Sequence, residues 1–425
     1  MECSSQDYVP ETVNLREYCE LIQYGFTQSA SEAKIGPKFL RITDIQKNPV
    51  DWSTVPYCEI SKEDFRKYLL EPGDIVIART GASTGTSAIY KENMPESVFA
   101  SYLIRIRPTA AFLPDFVYYF LQSASYKEHV KSIVGGSAQP NANAVQLTNV
   151  QIPLMTIEAQ KQVCKLLGCL DNNISTNIEM SKTLEEIARA IFKHWFIDFE
   201  FPNENGEPYK SSGGEMIDSP LGPIPKGWRI GRIEDVCEVI MGQSPPGSTY
   251  NEEGNGLPFF QGNRDFGFRF PNKRIFCSGP TRQAREGDVL ISVRAPVGSL
   301  NVAQETCCVG RGLAVLRPKE HYGFIFYYLK TQKHRWDAFS SEGTVFGSLR
   351  RQDLAQMEVP IPEDRLYYEF NNLVESLDTL TFINEKGINS LTELRDALLP
   401  KLMSGEIRVT DIEDKLGRGS NAEST

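Results

Sequence analysis

The feature that most constrains the fold is that the chain repeats itself. Gly136-Ser137 recurs as Gly343-Thr344, Ile152-Pro153 as Val359-Pro360, Leu170-Asp171 as Leu377-Asp378 and Leu184 as Leu391, all at one constant offset. A constant offset leaves no room for insertions, so this stretch is one structural unit built twice. Upstream the match continues with small gaps: Glu71-Pro72-Gly73-Asp74-Ile75-Val76-Ile77 pairs with Arg285-Glu286-Gly287-Asp288-Val289-Leu290-Ile291, Arg107-Pro108 with Arg317-Pro318, and Cys19-Glu20-Leu21-Ile22 with Cys237-Glu238-Val239-Ile240. Each copy has a variable front, rich in Gly, Pro and short β-type runs, and a well-matched helical back.

The fronts read as mixed α/β domains. Asp74 to Ala78 and Tyr102 to Ile106 are apolar runs bounded by turn residues, the pattern of strands. Phe116 to Val130 has helical spacing of its aromatics and Leu121. The second copy repeats the order with Asp288 to Val293, Leu313 to Leu316 and Phe324 to Phe339.

The backs carry a helix seam in steps of four and three. In the first copy it is Val163, Leu167, Leu170, Ile174, Asn177, Ser181, Leu184, Ala188, Ile191 and Trp195. In the second it is Phe370, Val374, Leu377, Thr381, Asn384, Ile388, Leu391, Arg395, Leu398 and Leu402. Matching seams on two long helices predict an antiparallel coiled coil, one helix returning alongside the other, with a span of roughly 50 Å at about 1.5 Å per residue. Asn177 and Asn384 share a repeat position near mid-helix, where the two helices would cross. Each is read either as a register-fixing polar residue or as a tolerated, partly hydrated one.

Composition limits the function. No apolar run approaches the roughly 20 residues of a membrane span, and the opening Met1-Glu2-Cys3-Ser4-Ser5-Gln6 lacks a secretory signal, so a cytoplasmic location with no membrane partner is expected. The cysteines, at 3, 19, 58, 164, 169, 237, 277, 307 and 308, are odd in number and form no Cys-x-x-Cys pair, which indicates neither a disulfide framework nor a zinc site. A formal net charge of −10 argues against a wholly basic surface, so any DNA face must be local, which is compatible with specific binding that depends on partners for much of its affinity.

A search for catalytic motifs finds none. Gly81-Ala82-Ser83-Thr84-Gly85-Thr86 follows a strand but lacks the Gly-Lys-Ser/Thr ending of a P-loop. An Asn/Asp-Pro-Pro-aromatic methyl-transfer site is missing: Asn203 lies in Pro202-Asn203-Glu204, and Ser244-Pro245-Pro246 lacks the acidic or amide lead. Asp74 and Asp288 have no downstream acidic-x-Lys partner for metal-dependent nuclease chemistry and read as turn or capping residues. His129, His194, His321 and His334 have no metal-ligand spacing, and His194 beside Trp195 reads as structural. No catalytic residue, metal ligand or cofactor site is assigned to this chain.

Three stretches carry a family likeness. Ala188 to Glu200 (Ala-Arg-Ala-Ile-Phe-Lys-His-Trp-Phe-Ile-Asp-Phe-Glu) resembles the end of the central conserved region of type I restriction-modification specificity (S) subunits. Ser219 to Trp228 (Ser-Pro-Leu-Gly-Pro-Ile-Pro-Lys-Gly-Trp) resembles the linker that opens their second recognition domain, and Leu398 to Ile407 the close of their distal conserved region. The first copy enters near Val13-Asn14-Leu15-Arg16 without the Gly-Trp signature.

The resemblance implies an α+β chain with two α/β target-recognition domains in tandem repeat, separated by two long helices that pair as an antiparallel coiled coil. The expected division is a first recognition domain over 1–155, a central conserved helix over 156–200, a linker over 201–218, a second recognition domain over 219–362, a distal conserved helix over 363–408 and a flexible tail over 409–425. It further implies that double-stranded DNA with a bipartite target is bound, one half per domain. Two modification (methyltransferase) subunits, carrying S-adenosylmethionine, dock on the conserved helices, and restriction subunits supply ATP- and Mg-dependent translocation and cleavage.

On that reading, base edges are met by Arg, Lys, Asn or Gln on loops held by a rigid scaffold, with Ser and Thr positioning phosphates. Three loops per copy qualify. The first copy offers Arg41 and Thr43; Arg79, Thr80, Ser83 and Thr84; and Ser137, Gln139, Asn141 and Asn143. The second offers Gln261, Asn263 and Arg264; Arg294 and Ser299; and Thr344, Ser348, Arg350 and Arg351. Their glycines would let backbone N–H groups approach phosphates. Helix pairing is expected at Leu167, Leu170, Ile174, Asn177, Leu184 and Ile191 against Val374, Leu377, Asn384, Ile388, Leu391 and Leu398. The rival readings are a duplicated protein-binding scaffold whose loops are ordinary solvated surface, a specificity subunit of a related system outside type I, and a fused modifying enzyme, the last disfavoured by the missing motifs.

Overall fold

The computed structural model describes residues 10–46, 49–135, 141–341 and 348–410. The chain divides into two compact units, residues 1–176 with 388–425, and residues 177–387. The first unit contains, in chain order, β1 (Thr12–Asn14), β2 (Cys19–Tyr24), β3 (Lys38–Leu40), α1 (Lys62–Tyr68), β4 (Ile75–Ala78), β5 (Ser87–Ile89), β6 (Ser97–Phe99), β7 (Leu103–Pro108), α2 (Pro114–Gln122), α3 (Ala124–Val134), α4 (Ala144–Thr148), β8 (Gln151–Pro153) and the start of α5 (Ile157–Phe196). The second continues with β9 (Met216–Ile217), β10 (Ile224–Pro225), β11 (Arg229–Arg232), α6 (Ile233–Val236), β12 (Cys237–Met241), β13 (Tyr250–Asn251), β14 (Leu257–Phe260), β15 (Phe276–Cys277), β16 (Gln283–Ala284), β17 (Val289–Ser292), β18 (Leu300–Val302), β19 (Cys307–Val309), β20 (Leu313–Pro318), α7 (Gly323–Thr331), α8 (Lys333–Ser341), α9 (Arg351–Ala355), β21 (Glu358–Ile361) and α10 (Asp364–Ser404).

Both units use one plan. An antiparallel sheet runs β2-β7-β4-β5 in the first and β12-β20-β17-β18 in the second. A parallel pair, β3 with β6 or β14 with β19, lies in a separate layer. The entry strand pairs with the last strand, β1 with β8 and β11 with β21, so the first copy opens on the same strand as the second although it lacks the Gly-Trp lead. The central strands explain the layering, because alternate side chains face opposite sides of a sheet. Ile75 and Ile77 of β4 join Ile104, Phe116, Phe120 and Tyr126 on the helix side, while Val76 and Ala78 join Leu40, Phe99 and Leu103 on the other. Strand β17 repeats this, with Val289 and Ile291 toward α7 and Leu290 toward Phe260 and Val309.

The turn before each central strand is also built twice. Gly73 and Gly287 adopt positive φ (95° and 81°). Asp74 and Asp288 close the turns by accepting from Glu71 N (2.8 Å) and Arg285 N (2.7 Å), the expected turn role. The structure adds a part-buried ion pair to each buried aspartate: Arg107 Nε to Asp74 Oδ1 at 2.7 Å, and Arg317 Nη2 to Asp288 Oδ2 at 2.9 Å.

Two expectations are corrected. The helix read over Phe116 to Val130 is two helices, because Ser123 turns extended and caps α3, its Oγ accepting from Tyr126 N. Phe324 to Phe339 likewise breaks at Gln332 between α7 and α8. In residues 201–218, the expected linker, Phe201 is buried and stacks between Tyr209 (4.6 Å) and Trp228 (5.5 Å), and β9 pairs with β10.

The long helices pair antiparallel within each unit, since position falls along α10 as it rises along α5. In the first unit Arg395 reaches Asp171 (3.0 Å) and Val163 and Leu167 share a core with Leu399 and Leu402. In the second, Phe192 meets Phe370 at 5.6 Å between ring centroids. Leu167, Leu170, Ile174, Ser181 and Ala188 are buried as the heptad spacing expects, but at the alternate seam positions from Leu184 onward burial moves one residue C-terminal. Glu185, Phe192 and Phe196 are buried, whereas Leu184 and Ile191 are half-buried. In α10 Val374, Asp378 and Asn384 are buried, Leu377, Ile388, Leu391 and Leu398 are half-buried, and Leu399 replaces Leu398 in the core. The cause is the 3.6-residue turn of an α-helix, which drifts by about 20° per heptad against a 3.5-residue seam. Half-buried Asn177 lies against Gly387, and the Nδ2 of Asn384 is buried without a hydrogen-bond partner among the described residues.

The second unit holds a charged core that seam spacing does not reveal. Arg269, 1% exposed, pairs with Glu185 of α5, with Asp378 of α10 at 3.3 Å and with the Tyr327 hydroxyl at 2.5 Å, and its guanidinium lies 4.0 Å from the centre of the Phe326 ring. Lys330 is a second cation on Glu185, and Tyr322 donates to Asp378 at 2.6 Å. Glu385 accepts from Arg269 N at 2.9 Å. Burial pushes its carboxyl up to about 7, against the opposing pull of the Arg269 and Phe270 backbone N–H groups. Asp378 is also raised, by burial, in spite of Arg269.

Candidate nucleic-acid interface

The candidate loops leave the same ends of equivalent strands, and their backbones are held by matching hydrogen bonds. Arg79 N donates to Tyr102 O (3.0 Å) as Val293 N does to Gly312 O (2.9 Å). Ala142 N donates to Arg79 O (2.9 Å) as Leu349 N does to Val293 O (3.0 Å). Gly85 N to Ala78 O (2.8 Å) matches Gly298 N to Ser292 O (2.9 Å), and Ala100 N to Leu40 O (2.9 Å) matches Gly310 N to Phe260 O (2.8 Å). The loop after β3, the loop after β4 and the segment before α4 therefore share one face of the first unit. The loops after β14 and β17 and the segment before α9 do so in the second.

In the first unit, Arg79 and Thr80 run beside Asn141. Thr80 bridges it, and Arg79 Nη2 reaches Asn141 Oδ1 at 3.5 Å. Ser83 Oγ accepts from Gln46 at 2.6 Å, joining the first two loops, and Thr43 is exposed. Several candidates are committed locally. Arg41 makes a two-pronged ion pair with Asp44 (3.0 Å for both contacts), which raises its pKa. Thr84 donates to Gly81 O at 2.7 Å, and Asn143 caps α4 by accepting from Gln146 N at 2.9 Å. Ser137 and Gln139 lie outside the described residues.

In the second unit, Asn263 Nδ2 donates to Ser299 Oγ at 3.1 Å, joining the first two loops. Gln261 is hydrogen-bonded to Ser244 Oγ (2.9 Å from Nε2). Arg264, Arg294, Ser348 and Arg350 are exposed. Arg351 is exposed overall, yet its Nε donates to Val239 O at 3.2 Å. Thr344 lies outside the described residues.

One glycine expectation is corrected. Gly85 has positive φ (88°), but a Cβ there would sit 2.7 Å from Val130 of α3, and Gly298 (φ 86°) abuts Trp336 of α8 in the same way. These glycines let a helix pack under the loop. Gly81, at φ 72° with open space around it, is the one in this loop that leaves its backbone approachable.

A family model described as the type I restriction modification DNA specificity domain matches residues 10–189 and again 225–392. The chain belongs to the type I restriction-modification specificity subunits. Each match runs from the entry strand region of one copy well into its long helix, the same duplication read from the sequence. A Methanocaldococcus jannaschii protein named as the specificity subunit of the type I restriction enzyme MjaX is 32% identical over 410 residues, covering 94% of each chain. The HindI specificity subunit of Haemophilus influenzae is 23% identical, covering 83% of this chain and 91% of its own. The crystal structure of an S subunit from M. genitalium has the same fold, with a TM-score of 0.57 at 15% identity over 95% of this chain and 98% of its own.

Sequence reasoning missed four residues of this specificity subunit's loop faces: Tyr24 and Tyr102 in the first unit, Ser244 and Arg311 in the second. Tyr24 and Tyr102 are 42% and 58% exposed, and Arg311 is exposed beside Ser244, whose Oγ accepts from Arg311 N at 3.2 Å. The signal was available in Tyr24-Gly25 and Gly310-Arg311-Gly312, where a large polar side chain sits next to a glycine at a strand end. Among the described residues no cluster of His, Cys, Asp and Glu could hold a metal ion, and no helix is long and apolar enough to cross a membrane.

Proposed function

We propose that this specificity subunit reads a bipartite DNA target, each unit presenting its three-loop face to one half. The observation that carries this reading is one backbone frame built twice with different side chains on it, as two readers of different sequences require. The chain supplies recognition and assembly without chemistry of its own. Methyl transfer, with S-adenosylmethionine, belongs to two modification subunits, and ATP- and Mg-dependent translocation and cleavage to restriction subunits, all in the cytoplasm.

Two equivalent docking sites for the modification subunits are supported by Ile187 and Leu394. They occupy the same repeat position on α5 and α10 and are both exposed, at 42% and 47%. The acidic balance of the chain supports tight binding by the assembled complex rather than by the chain alone.

The test is selection from random duplex DNA with the chain assembled on the modification subunit encoded beside it. A two-part consensus separated by unselected bases is expected. Retention of DNA with no enriched sequence would leave the protein-binding scaffold as the better reading.

A further inference from the structure

We infer that Arg79 reads a guanine in the first half of the target, and that Tyr24 is the residue that positions it. The inference rests on the DNA-reading proposal above and names the base and the side chain at that site. The three loops of the first unit contain two arginines, the side chains with a planar donor fork: Arg41 and Arg79. Arg41 is held by both carboxylate oxygens of Asp44, so its fork is occupied.

Arg79 differs. Its guanidinium lies 5.0 Å from the centre of the Tyr24 ring, and Nη2 makes one long contact, 3.5 Å, to Asn141 Oδ1. Its Nε is buried without a partner among the described residues. The ring beneath it is itself fixed, because the Tyr24 hydroxyl accepts from Ala144 N at 2.9 Å, at the start of the capped helix α4. Arg79 is thus a planar donor fork, stacked, oriented and short of acceptors. Guanine offers O6 and N7 side by side in the major groove, the acceptor pair such a fork fits, and stacking reduces the rotamer freedom lost on contact.

The second copy sharpens the assignment. By the matched backbone hydrogen bonds, Val293 stands where Arg79 does, Gly312 where Tyr102 does and Gly242 where Gly25 does, which puts Met241 at the position of Tyr24. The stacked pair is replaced by Val and Met on the same frame, and Val293 is buried. A residue needed to build the frame would recur; Arg79 and Tyr24 do not. They vary together where the two readers must differ.

The test is a methylation map of the host genome with the chromosomal copy of this chain replaced by R79A, R79K or Y24F, each raised in expression to offset weaker binding. Deleting the chain comes first: loss of a bipartite methylated motif establishes the DNA-reading role, and its persistence overturns that role together with this inference. R79A is expected to relax one G·C position in one half-target, with methylation at the other three base pairs rising roughly ten- to hundred-fold relative to that at G·C. R79K keeps the charge but not the fork and is expected to relax the same position, whereas a phosphate contact would leave the motif intact. Y24F keeps the stacking ring but loses the hydroxyl anchor, and is expected to relax that position partially and no other. An unchanged motif in R79A, uniform loss of methylation, relaxation in both halves, or a first half-target without a G·C pair overturns the inference.

Discussion

The buried charge of the second unit makes a quantitative prediction. Replacing Arg269 with Ala removes the cation shared by Glu185 and Asp378, the hydrogen bond to Tyr327 and the stack on Phe326. Lys330 still reaches Glu185, but among the described residues Asp378 keeps only the Tyr322 hydroxyl as a hydrogen-bond donor. Removing one member of a buried ion cluster costs about 3–5 kcal/mol, because the remaining carboxylate is left uncompensated away from water. R269A is therefore expected to lower the unfolding free energy of the second unit by about that amount in urea titration, followed by tryptophan emission from Trp228 and Trp336. The combined variant R269M, E185L, D378L and K330M, which removes all four charges of the cluster together, is expected to recover most of the loss. A loss below about 1 kcal/mol for R269A would refute the argument, since surface pairs fall in that range.

Other outcomes follow from the same geometry. Because burial raises the Glu385 carboxyl to about 7, the folded chain holds a proton that the unfolded chain has released above its ordinary pKa of 4.5. Stability is then highest below pH 4.5 as far as this group is concerned and falls as pH rises toward 7. E385Q, which keeps an acceptor for Arg269 N, is expected to flatten that slope in urea titrations between pH 4.5 and 7.5, and an unchanged slope would count against it. G85A and G298A each force a Cβ onto a positive-φ residue packed against a helix, and each is expected to destabilise its unit by at least about 1 kcal/mol in thermal melts. I187D and L394D are each expected to remove one of two bound modification subunits, as read by native mass spectrometry. Loss of both from either variant would contradict two equivalent sites.

Much of the architecture was legible because the duplication ties distant segments to one plan and strands such as Ile75 to Ala78 are short, apolar and bounded by turn residues. The long helices were legible in existence and direction. Their contacts were not, since a seven-residue spacing projected over 40 residues of α5 accumulates the drift that exchanges Leu184 for Glu185 and Ile191 for Phe192. The break at Ser123 was hidden because the aromatic pattern runs through it, while a single cap hydrogen bond decides the turn. Arg269 was hidden more deeply: its partners lie far away along the chain, on α5, α7 and α10, and meet only in the fold.

At the loop faces, residue type located the candidates but not their commitments. Arg41 and Arg79 look alike in sequence, and only the structure separates a guanidinium held by Asp44 from one stacked on Tyr24 with donors to spare. Tyr24 escaped notice because it ends strand β2, outside the three loops from which the candidates were drawn.

The central claim, two independent readers on one chain, is tested most directly by exchanging residues 15–150 for the first domain of another specificity subunit and mapping the methylated positions in host DNA. One half of the bipartite motif is expected to change to that of the donor while the other half stays as it was. A change in both halves, or in neither, would contradict the account.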